Sequence, residues 1–103
     1  MPDSALQIID GSALTLAQKK DLLHRLARVE GQLRGVQKLI ALANAPADCD
    51  AVAQQMAAAR KALDRAFVQL LTSSILTQTA NAEDLQNAQA SASRLAAMLD
   101  KFA

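Results

Sequence analysis

The sequence predicts an all-α fold, with a protomer of two long helices and a shorter C-terminal one. Three observations predict it. From Thr15 onward, apolar residues recur at alternating steps of three and four, the period of one helix face. Only three glycines and two prolines are present, so few positions can interrupt a helix. No stretch alternates apolar and polar residues as a half-buried strand does.

The first helix is announced by Thr15 followed by Gln18. This is a capping box, in which hydroxyl and amide satisfy the free N–H groups of the helix start. Leu23, Leu26, Val29, Leu33, Val36 and Ile40 form its apolar face. Gly31 and Gly35 lie within it, each costing ~1 kcal/mol relative to alanine. They imply a weakened helix or the close approach of another backbone. Pro46 restricts the residue before it, so the helix is expected to end near Asn44.

Asp48 reads as the N-cap of the second helix. Its stripe runs Cys49, Val52, Met56, Ala59, Leu63, Phe67, Leu70, Ser74 and Gln78. Asn81, with Glu83 and Asp84 behind it, reads as the cap of the third. That helix carries Leu85, Ala88, Ala92, Leu95, Leu99 and Phe102 as a coiled-coil-like seam. Residues 1–14 show no periodicity and are expected to form a flexible arm, leaving 15–103 as one helical domain.

Hydrophobic residues make up 51% of the 103, but many are alanine, and the only aromatics are Phe67 and Phe102. Such a chain buries little area within one protomer, so it is expected to oligomerise. A lone cysteine forms no internal disulfide and suits a reducing cytoplasm. No apolar run reaches the ~18 residues of a membrane span. The first fifteen residues carry acids and no base, unlike a signal peptide.

Cys49 and Ser74 share a helix face but lie 25 residues apart, ~37 Å along one continuous helix. They meet only if two copies of the helix pack antiparallel, which makes any site on this stripe intersubunit. The helix dipole at Cys49 favours a thiolate, and its acidic neighbours Asp48 and Asp50 oppose it. A small buried residue is the plain alternative. His24, the only histidine, faces away from the leucine stripe. It reads as solvated, or as the active group of a helical interaction or phosphotransfer module. One Cys, one distant His and scattered carboxylates make a poor metal site.

Net charge is +1, so the positions of the cations matter more than their sum. Lys19, Lys20, Arg25, Arg28, Arg34 and Lys38 lie on the first helix, and Arg60, Lys61 and Arg65 on the second. They read either as an ordinary solvated face or as a surface for nucleic-acid phosphates, repeated by symmetry in an oligomer.

The segment from Lys20 to Gly35 (KDLLHRLARVEGQLRG) resembles the first-helix signature of the CsoR/RcnR/FrmR repressor family. Cys49 follows at the start of helix two. The segment from Gln55 to Ala66 (QMAAARKALDRA) then resembles the second-helix signature. The resemblance covers residues 16–102. It implies an antiparallel four-helix-bundle dimer, usually a dimer of dimers. It also implies a non-enzymatic repressor that binds double-stranded operator DNA and releases it to a small inducer. The positions resembling DNA contacts are Arg25, Arg60 and Arg65, with Lys20 and Arg28 as helpers. In metal-sensing members, ligands near the end of helix two join the cysteine across the dimer. Here those positions are Ser74 and Gln78, so a metal ion is left with an incomplete ligand set. Formaldehyde-sensing members pair the cysteine with an N-terminal proline, and Pro2 follows Met1 here. Formaldehyde, bridging the Pro2 amine to the Cys49 thiol across subunits, is therefore the favoured inducer. A metal-responsive repressor with an atypical site is the alternative.

Overall fold

The computed structural model describes residues 7–102, and all regular structure among them is helical. The helices are α1 (Leu16–Leu42), α2 (Pro46–Ala80) and α3 (Leu85–Phe102). They are 27, 35 and 18 residues long, as the two-long-one-short pattern requires.

The start of α1 is set locally. The Thr15 N–H donates to Gln18 Oε1 at 2.8 Å, and the Gln18 N–H donates to Thr15 Oγ1 at 3.1 Å. This is the reciprocal box the sequence announces. The end comes at Leu42, two residues before Asn44, and is closed by the Ala43 N–H bonding to the Ile40 carbonyl.

Two caps differ from expectation. Helix α2 begins at Pro46, not after Asp48. Proline suits the first position of a helix because its φ is already helical and its missing N–H would have had no partner. Asp48 therefore lies inside the first turn and reaches backward. Its Oδ2 accepts from the N–H groups of Asn44 and Ala45, each at 3.0 Å. Helix α3 is capped by Asp84, whose Oδ1 accepts the Asn87 N–H at 2.7 Å. Asn81 instead closes α2, donating its N–H to the Thr77 carbonyl.

The described chain divides into two compact units. One comprises residues 22–68, the larger part of α1 with the first part of α2. Its interior is apolar: Leu22, Val29 and Val36 of α1 and Ala59 and Ala66 of α2 are buried. The α1 stripe thus splits. Leu22, not Leu23, joins Val29 and Val36 at steps of seven, while Leu26, Leu33 and Ile40 stay exposed.

The other unit comprises the chain up to Asp21 together with Gln69 onward. Leu71 and Leu95 are its buried apolar residues, joined by buried Ser73, Ser74 and Thr77. On α3 the covered face is Ala88, Ser91, Leu95 and Met98, and Leu85, Ala92, Leu99 and Phe102 of the expected seam are exposed. Residues 7–14 are not helical. The Lys19 ammonium donates to the Ile9 carbonyl.

No large side chain among the described residues is completely enclosed. Full burial of a leucine or methionine is worth ~1.5–3 kcal/mol. Leu33, Met56 and Leu63, at 48, 52 and 48% exposure, leave much of that unrealised.

Candidate functional site

Cys49 lies in the first turns of α2, exposed and free. Beside it, the backbone N–H groups of Ala45 and Asn44 hold the Asp48 carboxyl below its ordinary value. Asp48 is thus committed to the helix start. Helix α2 is continuous from Pro46 to Ala80, the condition under which Cys49 and Ser74 cannot meet on one copy.

Ser74 and Gln78 belong to the other unit. Ser74 is 7% exposed. Gln78 is half-buried and accepts a hydrogen bond from the Arg94 guanidinium at its Oε1. Pro2 lies outside the described residues. Among those residues, no group of three or more His, Cys, Asp or Glu is gathered. A soft or borderline metal needs thiolate, imidazole or carboxylate donors. The hydroxyl of Ser74 and the engaged amide of Gln78 do not fit that requirement.

The candidate DNA-contacting side chains Lys20, Arg25, Arg28, Arg60 and Arg65 are all exposed. The four arginines fall in the residue 22–68 unit, and Lys20 falls in the other. Arg25 and Arg28, three residues apart, lie ~60° apart around α1. Arg60 and Arg65, five residues apart, diverge by ~140° around α2. Arg60 borders an apolar groove, whereas Arg65 lies at the i+4 position from Lys61. The structure thus groups Arg25 with Arg28 and separates Arg60 from Arg65. His24 is exposed, as its position off the leucine stripe implies.

That groove, of about 500 Å3, lies between α1 and α2 in the residue 22–68 unit. Val29, Leu33 and Val36 line one side, and Met56, Ala59 and Leu63 the other.

The sequence reading did not foresee the polar interior of the other unit. Thr77 Oγ1 donates to Gln18 Oε1 at 2.7 Å, so one amide oxygen serves both the α1 cap and a tertiary bond to α2. Ser73 is buried alongside, and Gln69 Oε1 is buried with no partner among the described residues. The signal was present: Ser74 and Gln78 continue the α2 stripe where leucine would be expected. Hydroxyls on a core face require partners, and Thr77 finds one in Gln18.

A family model described as metal-sensitive transcriptional repressor matches residues 18–101. No curated protein and no solved structure matches the chain.

Proposed function

The chain belongs to the family of metal-sensitive transcriptional repressors, and on that premise we propose that it releases its operator DNA when formaldehyde modifies Cys49. The observation that carries this reading is an exposed, free thiol in a chain whose described residues gather no group of three or more metal-type donors. No step of the reading runs through a metal.

The chemistry uses the chain's own groups. With Met1 removed, the secondary amine of Pro2 adds to formaldehyde. The adduct takes up a proton and loses water, giving an iminium. The Cys49 thiolate of a second copy then attacks the carbon. Amine, thiol and formaldehyde become an N–CH2–S bridge and one water, with no oxidant or reductant. Ile9 lies seven chain steps from Pro2, a reach of at most about 25 Å when extended. The Lys19 ammonium, bonded to the Ile9 carbonyl, ties Ile9 to α1, and a fixed point closer to Pro2 raises the effective concentration of amine at thiol.

The antiparallel pairing this requires is a second copy seated on the apolar groove of the residue 22–68 unit, completing a four-helix bundle. A dimer of dimers would present Arg25, Arg28, Arg60 and Arg65 repeatedly along the duplex, with Lys20 assisting through phosphates. The rival, an interaction or phosphotransfer module, rests on exposed His24 alone.

Gel shifts against the DNA upstream of the protein's own gene test the reading. Binding is expected to weaken steeply with salt. Formaldehyde is expected to release the wild type and leave Cys49→Ala bound. Intact mass is expected to rise by one carbon atom per bridge in the wild type alone. Absence of DNA binding at low salt sinks the repressor. Release of Cys49→Ala by formaldehyde sinks the sensor.

A further inference from the structure

The described part of the arm, the end of α2 and α3 surround a polar pocket of about 420 Å3. Its chemistry is one-sided. Among the described residues, Arg94 is the only cation lining it, and no carboxylate does. The acids nearest in sequence, Asp10, Glu83 and Asp84, are not on its walls, and Asp84 is engaged in capping α3. The remaining polar lining is amide and hydroxyl, from Gln78, Asn81, Asn87, Ser91 and Ser12.

The Arg94 guanidinium donates to Gln78 Oε1, which fixes its position at the pocket. That partner is neutral, so its bond leaves the positive charge uncompensated among the described residues. A guanidinium has several further N–H groups in a planar fork, a geometry that matches a carboxylate. The volume falls within the ~300–1,000 Å3 usual for small-molecule sites.

We infer that this pocket binds a small hydroxylated monocarboxylate, with Arg94 on the carboxylate and Asn81, Asn87 and Ser91 on the hydroxyls. One lining cation matches one negative charge. A phosphate dianion would bring a second charge with no partner. Uncharged polyols would leave the guanidinium as it is. The amides and hydroxyls both donate and accept, as a hydroxyl-bearing ligand needs. An occupant would touch the arm at Ser12 and α2 at Gln78 together, holding the two to each other. Binding here stands apart from the repressor reading, since it is measured without DNA.

Titration calorimetry of the full chain with sodium glycerate and sodium gluconate tests it, with inorganic phosphate and glycerol as rivals. Saturable binding of one carboxylate per chain is expected. Binding should weaken about tenfold or more in Arg94→Gln and stay unchanged in Arg34→Gln. Asn87→Asp keeps Arg94 but supplies it with a carboxylate, and should weaken binding similarly. Circular dichroism checks that both variants keep their helix content, and either one suffices. The proposal is overturned by no saturable heat with both carboxylates, by unchanged affinity in a folded variant, or by tighter binding of phosphate or glycerol.

Discussion

The two compact units are held by different forces. In residues 22–68 the interior is aliphatic, and the side-chain hydrogen bonds shown are those of Asp48 at the start of α2. In the other unit, Leu71 and Leu95 share the interior with Ser73, Ser74 and Thr77. Gln18, Gln78 and Arg94 tie its side chains together. Apolar contact is non-directional, so the first unit can leave a groove open for any complementary apolar face. Hydrogen bonds are directional and costly to leave unmade, so the second unit is specified more narrowly. One unit is suited to association, and the other to holding defined polar groups in place.

A charge placed in the aliphatic unit should have the largest effect. Val36 is 5% exposed. Val36→Asp buries an unpaired carboxylate and should cost ~3 kcal/mol or more, read as loss of helix by circular dichroism. Leu33→Asp, at the groove, should keep the protomer's helix content while lowering the oligomeric state in sedimentation. If Leu33→Asp sediments as the wild type does, the groove is not an association surface.

Thr77→Val probes the hydrogen-bonded unit. It removes the donor to Gln18 and should cost ~1 kcal/mol in chemical denaturation. The Thr15 N–H still reaches Gln18 Oε1, so the α1 cap should survive. A variant as stable as the wild type would mean that apolar packing dominates this unit too.

Gly31→Ala and Gly35→Ala sharpen the picture with the opposite sign. A Cβ at either glycine meets nothing within 4 Å. Each should therefore stabilise α1 by up to ~1 kcal/mol in denaturant titration. Of the two explanations the sequence offers, the close neighbour is not supplied by the described chain. If the variants gain protomer stability but associate more weakly, a second copy supplies it.

Asp48→Ala should have the smallest effect, a slight fall in melting temperature at neutral pH. The two N–H bonds lower the Asp48 carboxyl from its ordinary 3.8. A depressed carboxyl contributes stability that is fully present above that ordinary value. The contribution disappears as pH falls through the lowered folded value. Wild type and Asp48→Ala should therefore differ at neutral pH and converge below the lowered value.

Features decided within four residues were legible. The Thr15–Gln18 box, the three helices and the exposure of His24 all followed from spacing. The caps at α2 and α3 were misplaced by a few residues, because several candidates stood together. Asp48 and Asp84 can each cap, and Pro46 can end one helix or begin the next. The candidate site was read as a set of residues on one helix stripe, and its arrangement was not legible. Spacing identified Cys49, Ser74 and Gln78 as one stripe. It could not show that Ser74 is buried beside a polar cluster or that Gln78 is bound to Arg94.

The helical class, the number of helices with two long and one short, and the lone cysteine at the start of α2 follow from local sequence alone. Periodicity and capping act through a chain's own neighbours, so no distant residue can hide them. Which side of each stripe is covered depends on the packing of the helices. That packing buried Leu22, Val29 and Val36 and left Leu26, Leu33 and Ile40 open. It joined Gln18 to Thr77 across 59 positions, and Arg94 to Gln78 across 16. These pairings depend on how helices rotate against each other. A rotation of a few tens of degrees exchanges a buried residue for an exposed one without altering the period that sequence reveals.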